Sequence, residues 1–287
     1  MTAIFKKEVK GYLTSMIGYL FIAFILLLEG IYFTAYNIQG AYPIFGVTLS
    51  SITFVFLILV PVFTMKTISE ERKQKTDQML LTSPVSVGQI VVGKYLALVA
   101  IYMIAILVTC MYPLIMGKYG SVSYPMAYTG IFGFFLLGVA LLSIGLYMSS
   151  LTENPVIAAV LTFAALFICY VIEGIGSFIS DTSFVSLVIY MMIVAGLGIG
   201  IYRMIQSFWV AAGMAGVGEV ALIILYIVDS TKFESSIQKF LEVFHLVAHF
   251  ENFTNGILDI QGIVYFLSVV VVFVFLTIQT ISKRRWK

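Results

Sequence analysis

The sequence predicts an all-α, polytopic membrane protein with six to eight transmembrane helices. Of its 287 residues, 61% are hydrophobic and only 10% are charged, and the mean hydropathy is +1.07. Soluble domains are about 45–50% apolar and about 25% charged, so this chain has too few polar residues to cover a surface in water. The composition therefore excludes a cytosolic enzyme, a nucleic-acid binder and a disordered chain.

Eight apolar runs are candidate spans, because a helix needs about 20 apolar residues to cross a bilayer. They lie at 17–36, 47–66, 90–116, 126–149, 155–175, 184–202, 208–229 and 263–282. With the N-terminus in the cytoplasm, thirteen of the sixteen Lys and Arg residues fall inside, and only Lys118, Lys232 and Lys239 fall outside. Cytoplasmic loops carry an excess of Lys and Arg. The pattern therefore predicts a cell-membrane protein with both termini in the cytoplasm.

Two of these runs leave the number of crossings open. The runs 184–202 and 208–229 are rich in glycine, which lets helices approach closely. They are either two spans joined at 202–206 or one re-entrant pair. Both arrangements keep the C-terminus in the cytoplasm, so the prediction stays at six to eight spans.

The chain is predicted to form one transmembrane domain over residues 1–287, with three segments outside the membrane. Residues 1–15 form an N-terminal cytoplasmic helix that leads into the first span. Residues 67–89 form the longest and most charged cytoplasmic loop. Residues 230–262 form an external amphipathic segment.

The cytoplasmic loop has the signals of a short helix. Thr67 and Glu70 fit a capping box. Glu71 and Lys75 stand four residues apart, a spacing at which opposite charges stabilise a helix. We therefore expect a helix that starts near Thr67 and continues towards Leu81.

A proline turn ends this predicted helix and returns the chain to the membrane. Pro84 disfavours helical geometry in the residue before it. Ser86 and Gln89 then form a second capping box, which starts the helix of the third span. The loop is either a solvated linker that obeys the charge rule or a docking element with a defined shape.

The external segment supports two interpretations. Glu242, His245 and His249 stand at i, i+3 and i+7, which could place metal ligands on one helix face. The apolar residues instead repeat at intervals of four and three, which predicts an amphipathic helix at the outer interface; they are Phe233, Ile237, Phe240, Phe244 and Val247. We favour the interfacial helix and predict no metal site.

Residues 88–95 nearly match the spacing of a phosphate-binding loop. Such a loop follows a strand and ends in a Ser or Thr that holds magnesium. Here Tyr95 takes that place, and the segment opens a transmembrane helix. No ATP site is therefore expected in this chain.

Three stretches of the sequence share a pattern with a known family. The loop contains Glu70-Glu71-Arg72, Thr76, Leu80-Leu81 and Ser83-Pro84-Val85, and Gly93-Lys94 follows at the start of the third span. The N-terminus contains Phe5-Lys6-Lys7-Glu8, and the C-terminal part contains Phe250, Phe253, Gly256-Ile257-Leu258-Asp259 and Lys283-Arg284-Arg285-Trp286. Together they resemble type-2 ABC transporter permeases, the exporter-type transmembrane subunits, and most of all the subgroup that includes gliding-motility permeases.

The resemblance implies a bacterial membrane subunit that is not an ATPase and binds no cofactor itself. ATP and magnesium would be bound by two copies of a separate ATP-binding subunit, and a second permease, identical or homologous, would complete the pair. The N-terminal helix and the loop would form the docking cleft, and ATP-driven closure of the ATPases would move the spans. The implied docking residues are Phe5, Lys7, Glu8, Glu70, Glu71, Arg72, Thr76, Leu80, Leu81, Ser83 and Pro84.

Three carboxylates fall inside candidate spans, namely Glu29, Glu173 and Glu219. A charge at mid-bilayer costs at least about 2.5 kcal/mol, so such groups commonly face a cavity or a partner. Each is a candidate for the transport pathway or the permease interface, although Glu173, near the outer end of its run, also fits the membrane interface. Replacing Glu29 or Glu219 with Gln should reduce transport without reducing membrane insertion.

Two other classes of function, a transporter or channel not coupled to ATP and a membrane-embedded enzyme, are alternatives to an ABC permease. A secondary transporter or channel not coupled to ATP would show an inverted repeat with broken helices in matching halves, and the charged loop has no counterpart near residue 203. A membrane-embedded enzyme would need a reactive cluster within the spans, whereas both histidines lie outside them. An ATPase reading frame beside this one would separate these classes.

Overall fold

The computed structural model describes residues 1–76, 85–178, 182–205, 207–229 and 233–285. Within these ranges the chain is helical, with no strand, as the sequence predicts for an all-α membrane protein. The residues cluster into two compact units. The first comprises Met1–Ile168 and Leu246–Lys287, and the second comprises Cys169–His245.

The helices are labelled in chain order. In the first unit they are α1 (Thr2–Thr14), α2 (Met16–Phe33), α3 (Phe45–Ile52), α4 (Phe56–Thr64), α5 (Ser69–Lys73), α6 (Val87–Thr109), α7 (Tyr112–Met116) and α8 (Tyr124–Leu151). The helix α9 (Pro155–Phe178) begins in this unit, which also contains α13 (Ala248–Thr254) and α14 (Ile260–Arg285). The second unit contains α10 (Ser183–Ile205), α11 (Phe208–Val228) and α12 (Ser236–Glu242).

Helix α8 lies at the centre of the first unit. It packs against α3, α4, α6, α13 and α14, and its C-terminal end contacts α5. Its glycines make these close approaches possible: a Cβ atom on Gly138 would lie 2.4 Å from the ring of Tyr102 on α6. Tyr102 is fully buried and donates a hydrogen bond to the Phe134 carbonyl of α8 at 2.8 Å.

Aromatic rings fill the space between α2, α4, α6 and α8. Phe21 of α2 stacks on Phe63 of α4 with ring centroids 4.0 Å apart. Phe56 of α4 packs against Phe134 of α8 with centroids 5.0 Å apart. Such pairs bury large apolar areas in defined geometries, which holds these helices together.

Two of the predicted spans are not simple helices. The helix α2 continues as a π-helix over Thr34–Gln39, where Asn37 accepts a hydrogen bond from Thr48 and donates to the Tyr42 carbonyl. The second span is assembled from α3, a 3-10 turn at Thr53–Val55 and α4. Hydropathy alone predicts such runs as continuous helices, because it does not register local hydrogen bonding.

Six helical segments within the described ranges are long and apolar enough to cross a membrane. They are Met16–Gln39, Phe45–Lys73, Val87–Met116, Tyr124–Leu151, Pro155–Ile172 and Ile260–Arg284. Each overlaps a span predicted from the sequence. The second of them continues through α5, so part of the predicted cytoplasmic loop extends the end of that span.

The second unit is built on a pair of long helices. Helices α10 and α11 have 23 and 21 residues and pack against each other. At about 1.5 Å per residue each exceeds the hydrocarbon thickness of about 30 Å. This length favours two spans over a re-entrant pair, although the apolar stretches found there, Ser183–Gly196 and Gly216–Val228, are shorter than a span.

The external segment differs from its prediction. The expected helix through Phe233 and Val247 is broken: α12 ends at Glu242 and α13 begins at Ala248. In α12, Ile237 is buried, while Phe240 is exposed. The break ends the i, i+3, i+7 register of Glu242, His245 and His249, and no group of three potential metal ligands is found among the described residues.

Candidate functional site: a cleft between α1 and α5

A cleft of about 340 Å³ lies between α1, the start of α2, the α4–α5 connection and α6. Most of the residues that line it are of polar or charged type. The lining residues are Glu8, Gly11, Tyr12, Ser15, Ile17, Lys66, Thr67, Glu70, Glu71, Gln74 and Lys94. The cleft thus brings together the two segments that the sequence predicts as docking elements, the N-terminal helix and the charged loop.

The floor of the cleft is an ion-pair cluster around Lys94. The Lys94 Nζ atom lies 3.0 Å from Glu8 Oε1 of α1 and 2.9 Å from Glu71 Oε1 of α5. It also donates to the Thr67 carbonyl at 3.0 Å. The Lys94 side chain is only 2% exposed, while those of Glu8 and Glu71 are 14% and 19% exposed. This Lys94 cluster therefore joins α1, α5 and α6 at one buried nitrogen.

A second contact closes the cleft on the α1 side. The Tyr12 hydroxyl and Thr67 Oγ1 form a hydrogen bond of 2.9 Å. Burial raises the pKa of the Tyr12 phenol above its ordinary range, against the opposing effect of the Thr67 hydrogen bond. Tyr12 therefore remains neutral and fixes α1 to the chain that precedes α5.

The capping of α5 differs from the prediction. Thr67 does not cap the helix with Glu70; the N-cap position is Ile68, whose side chain makes no capping bond. Ser149 of α8 takes this role, since its Oγ accepts from the backbone N–H groups of Ile68 and Ser69, both at 3.2 Å. A residue distant in sequence satisfies the free donors of a helix start, which a local motif search does not detect.

Arg72 fixes the other side of α5 to α8. Its buried guanidinium donates to the Ser150 carbonyl, in the last turn of α8, where carbonyls lack helical partners and cations are stabilised. It also lies 3.4 Å from Glu153, whose carboxylate is 3.6 Å from Arg284 of α14. Arg72, implied as a docking residue by the resemblance, thus makes its contacts inside the protomer.

The predicted Glu71–Lys75 helical pair is replaced by longer-range contacts. Helix α5 ends at Lys73, and Lys75 has a left-handed backbone with φ of 58°. Glu71 turns instead towards Lys94 and towards Lys7, at 3.4 Å. The predicted helix start at Ser86 is confirmed, because its Oγ accepts from the Gln89 N–H at 3.3 Å.

The remaining predicted docking residues occupy different environments. Phe5 on α1 and Glu70 on α5 are partly exposed, while Lys7 and Thr76 are exposed. Glu70 pairs with Lys66 at 3.7 Å. Four predicted docking residues lie outside the described residues, namely Leu80, Leu81, Ser83 and Pro84.

The intramembrane carboxylates are separate from the cleft. Glu29 on α2 is 1% exposed and accepts a hydrogen bond of 2.7 Å from Thr109 of α6, so it lies inside the protomer rather than on an open surface. Glu219 on α11 is partly exposed and belongs to the second unit. The Glu173 side chain lies outside the described part of the chain.

Sequence reasoning missed the residues that assemble the cleft. In the sequence, Lys94 is noted only as part of a Gly-Lys pair that resembles the permease family. The sequence patterns predict no role for Tyr12, Ser149 or Glu153. One signal was available: a lysine within an apolar run needs a partner. Its partners, on α1 and α5, follow only from the packing.

These features define a class of protein: an all-helical, multi-pass membrane protein with a preformed polar cleft on the side where Lys and Arg concentrate. A family model described as ABC-2 family transporter protein matches residues 2–282. The chain belongs to this family, and it is a membrane permease subunit of an ABC transporter rather than a catalytic subunit. A search of curated proteins found no match.

Proposed function

We propose that this chain is the transmembrane subunit of an ATP-driven exporter and that it forms the translocation path with a second permease, identical or homologous. Each permease docks a separate ATP-binding subunit, which binds ATP and magnesium. The sequence resemblance to gliding-motility permeases favours that subgroup.

The observation that carries the proposal is the cytoplasmic cleft. Both of its walls, α1 and α5, are fixed to long membrane helices: α1 through Glu8 and Lys94 to α6, and α5 through Ser149 and Arg72 to α8. A partner that pushes on the cleft would therefore move α6 and α8 with it. Helices that move as rigid bodies are common elements of conformational switching in proteins.

The test is to search the neighbouring reading frames for an ATP-binding protein with a phosphate-binding loop and to co-purify that protein with this chain. Glu70 is the best single probe, because it lines the cleft and its ion pair within the described residues, with Lys66, is local and partly exposed. We expect Glu70→Lys to reduce retention of the ATP-binding protein. Glu251→Lys, an exposed reversal in the external segment, is the matched control and should retain it fully.

Glu71 and Arg72 are unsuitable probes of docking. Glu71 belongs to the Lys94 cluster and Arg72 contacts α8, so their substitution perturbs the protomer itself. If the wild-type protein retains no ATP-binding subunit, the proposal is wrong and an ATP-independent transporter or channel becomes the better explanation. If Glu70→Lys retains as much partner as Glu251→Lys, the cleft is not the docking site.

A further inference from the structure

Glu29 is a buried carboxyl group near the middle of a membrane span, the 24-residue segment Met16–Gln39. Only 1% of it is exposed within a single protomer. Its Oε2 atom lies 2.7 Å from the Thr109 hydroxyl of α6, and its Oε1 atom has no hydrogen-bond partner among the described residues. The described residues therefore offer this carboxyl group one polar contact, and that contact joins α2 to α6.

No positive charge lies close enough to neutralise an ionised Glu29. Helices α2, α3, α4, α7 and α8 contain no Lys or Arg. Lys94 is the only cation of α6 and stands fifteen residues before Thr109, which is about 22 Å along the helix at about 1.5 Å per residue. It is already paired with Glu8 and Glu71. The charges of α1 precede the first residue of α2, so they do not lie at the level of Glu29.

The titratable side chains around Glu29 are tyrosines and one cysteine, none of which can carry a positive charge. Tyr102 donates its hydroxyl proton to the Phe134 carbonyl instead. An ionised Glu29 would thus have one hydrogen bond and no counter-charge, and a buried charge in that state is costly. The titratable neighbours are Tyr102 of α6, Cys110 at its end, Tyr112 of α7, and Tyr32 and Tyr36 on α2 and its π-helical continuation.

The surroundings of Thr109 distinguish the two protonation states of Glu29. The threonine hydroxyl has one hydrogen, and two oxygens lie within reach of it: Glu29 Oε2 at 2.7 Å and the Ala105 carbonyl at 3.2 Å. With an ionised Glu29, the hydroxyl can donate fully to only one of them. With a protonated Glu29, the carboxyl O–H donates to Thr109, and Thr109 donates to the Ala105 carbonyl one turn back in its helix. Only the protonated state makes both contacts hydrogen bonds.

We infer that Glu29 is a proton-binding site: it holds a proton that it donates to Thr109, and this proton ties α2 to α6. Thr109 is the last residue of α6, and Lys94 of the cleft lies near the start of the same helix. Loss of the proton would leave an unpaired charge between two packed helices, which favours their separation. This property belongs to the permease alone and does not depend on the proposed function.

The first experiment records the infrared spectrum of the detergent-purified protein near neutral pH. A protonated carboxyl group has a C=O stretching band that is distinct from the bands of carboxylates and amides. We expect the acid band to be lost in Glu29→Gln, which keeps a neutral donor beside Thr109. It should be unchanged in Glu251→Gln, which alters an exposed carboxylate. If Glu29→Gln loses carboxylate bands and not the acid band, Glu29 is ionised and the inference is wrong.

The second experiment identifies the acceptor of the proton. Thr109→Val removes the hydroxyl, whereas Thr109→Ser keeps it. A carboxyl group that makes fewer hydrogen bonds absorbs at higher frequency, so we expect the acid band to shift upwards in Thr109→Val and to stay in place in Thr109→Ser. An unshifted band in Thr109→Val would overturn the contact between α2 and α6.

The third experiment compares the melting temperatures of the wild-type protein and Glu29→Gln from about pH 5 to about pH 8. An unfolded glutamate has an ordinary pKa of about 4.3, so over this range the unfolded chain releases a proton that the folded protein keeps. Stability then falls as the pH rises, by up to about tenfold in the folding equilibrium constant per pH unit. We therefore expect the wild-type melting temperature to fall relative to that of Glu29→Gln. A difference that is constant with pH would overturn the proton-binding site.

Discussion

At the scale of single residues, Lys94 shows how a charge is accommodated beside a membrane span. Its ammonium has three N–H donors, and the structure provides three acceptors, from Glu8, Glu71 and the Thr67 carbonyl. A buried charge is tolerated when its donors are satisfied and a counter-charge is close. The stability of the site therefore depends on the complete set of contacts.

The variant Lys94→Met should destabilise the first unit strongly. It leaves the mostly buried Glu8 and Glu71 carboxylates close together with the exposed Lys7, at 3.7 and 3.4 Å, as their remaining cation, and breaking a buried pair costs about 3–5 kcal/mol. Thermal unfolding of the detergent-purified protein measures the effect. Lys10→Met, at an exposed position of α1, should change stability by less than about 0.5 kcal/mol.

A triple variant tests whether stranded charge is the cause. Adding Glu8→Gln and Glu71→Gln to Lys94→Met removes both carboxylates, so part of the lost stability should return. If the triple variant is no more stable than Lys94→Met alone, the loss comes from packing and not from electrostatics.

At the scale of elements, α5 is a five-residue helix whose position depends on its neighbour. An isolated helix of this length is unstable in water. Ser149 supplies its N-terminal hydrogen bonds, and Arg72 connects it to the last turn of α8. Tertiary contacts, rather than helix propensity, therefore hold α5 in the wall of the cleft.

The variant Ser149→Ala should loosen α5 selectively. It removes the acceptor for the Ile68 and Ser69 N–H groups, and loss of a helix cap costs about 0.5–2 kcal/mol. Amide hydrogen exchange should become faster over residues 68–73. Ser268→Ala is the control, because its exposed hydroxyl donates to the Tyr265 carbonyl within its own helix; equal exchange in both variants would contradict the capping role.

The contact between α6 and α8 is equally specific. In Gly138→Ala the new methyl group would lie 2.4 Å from the buried Tyr102 ring, and overpacking of this kind costs about 1–3 kcal/mol. The melting temperature should therefore fall. In Gly196→Ala the methyl group meets nothing within 4 Å, so this variant should be neutral or slightly stabilising; an equal fall in both would exclude the steric explanation.

At the scale of the whole molecule, charge and packing define different features. The excess of Lys and Arg in alternate loops predicts which side of the membrane each loop occupies. The contacts of α8 with most helices of the first unit determine which spans are neighbours. The orientation is therefore a prediction from sequence, open to a direct test.

Single cysteines should report this orientation in intact cells. In a background of Cys110→Ser and Cys169→Ser, a membrane-impermeant maleimide should label Lys118→Cys and Lys239→Cys, which we place outside. Gln74→Cys, at the cytoplasmic cleft, should be labelled only after the cells are permeabilised. Labelling of Gln74→Cys in intact cells would reverse the predicted topology.

The sequence predicted some parts of the fold and site better than others. All six span-like helices overlap predicted apolar runs, because bilayer thickness imposes their length and composition. The helix start at Ser86 was also predicted correctly, since its cap is local. Three predictions were wrong: the helix cap at Thr67, the pairing of Glu71 with Lys75, and the continuous helix through His245. In the first two cases a partner distant in sequence competes with the local pattern. In the third case the helix is interrupted between α12 and α13.

By itself, the sequence determined that this protein is an all-helical membrane protein, and its loop motifs pointed to the permease family that the chain was found to match. The membrane class follows from composition and from the length of the apolar runs, and the family followed from the resemblance of the motifs. Only the tertiary structure decided that Glu8, Glu71 and Lys94 form one cluster and that Ser149 caps α5. The physical reason is that a buried charge or a free helix end takes its partner from whichever element packs beside it, however distant in sequence.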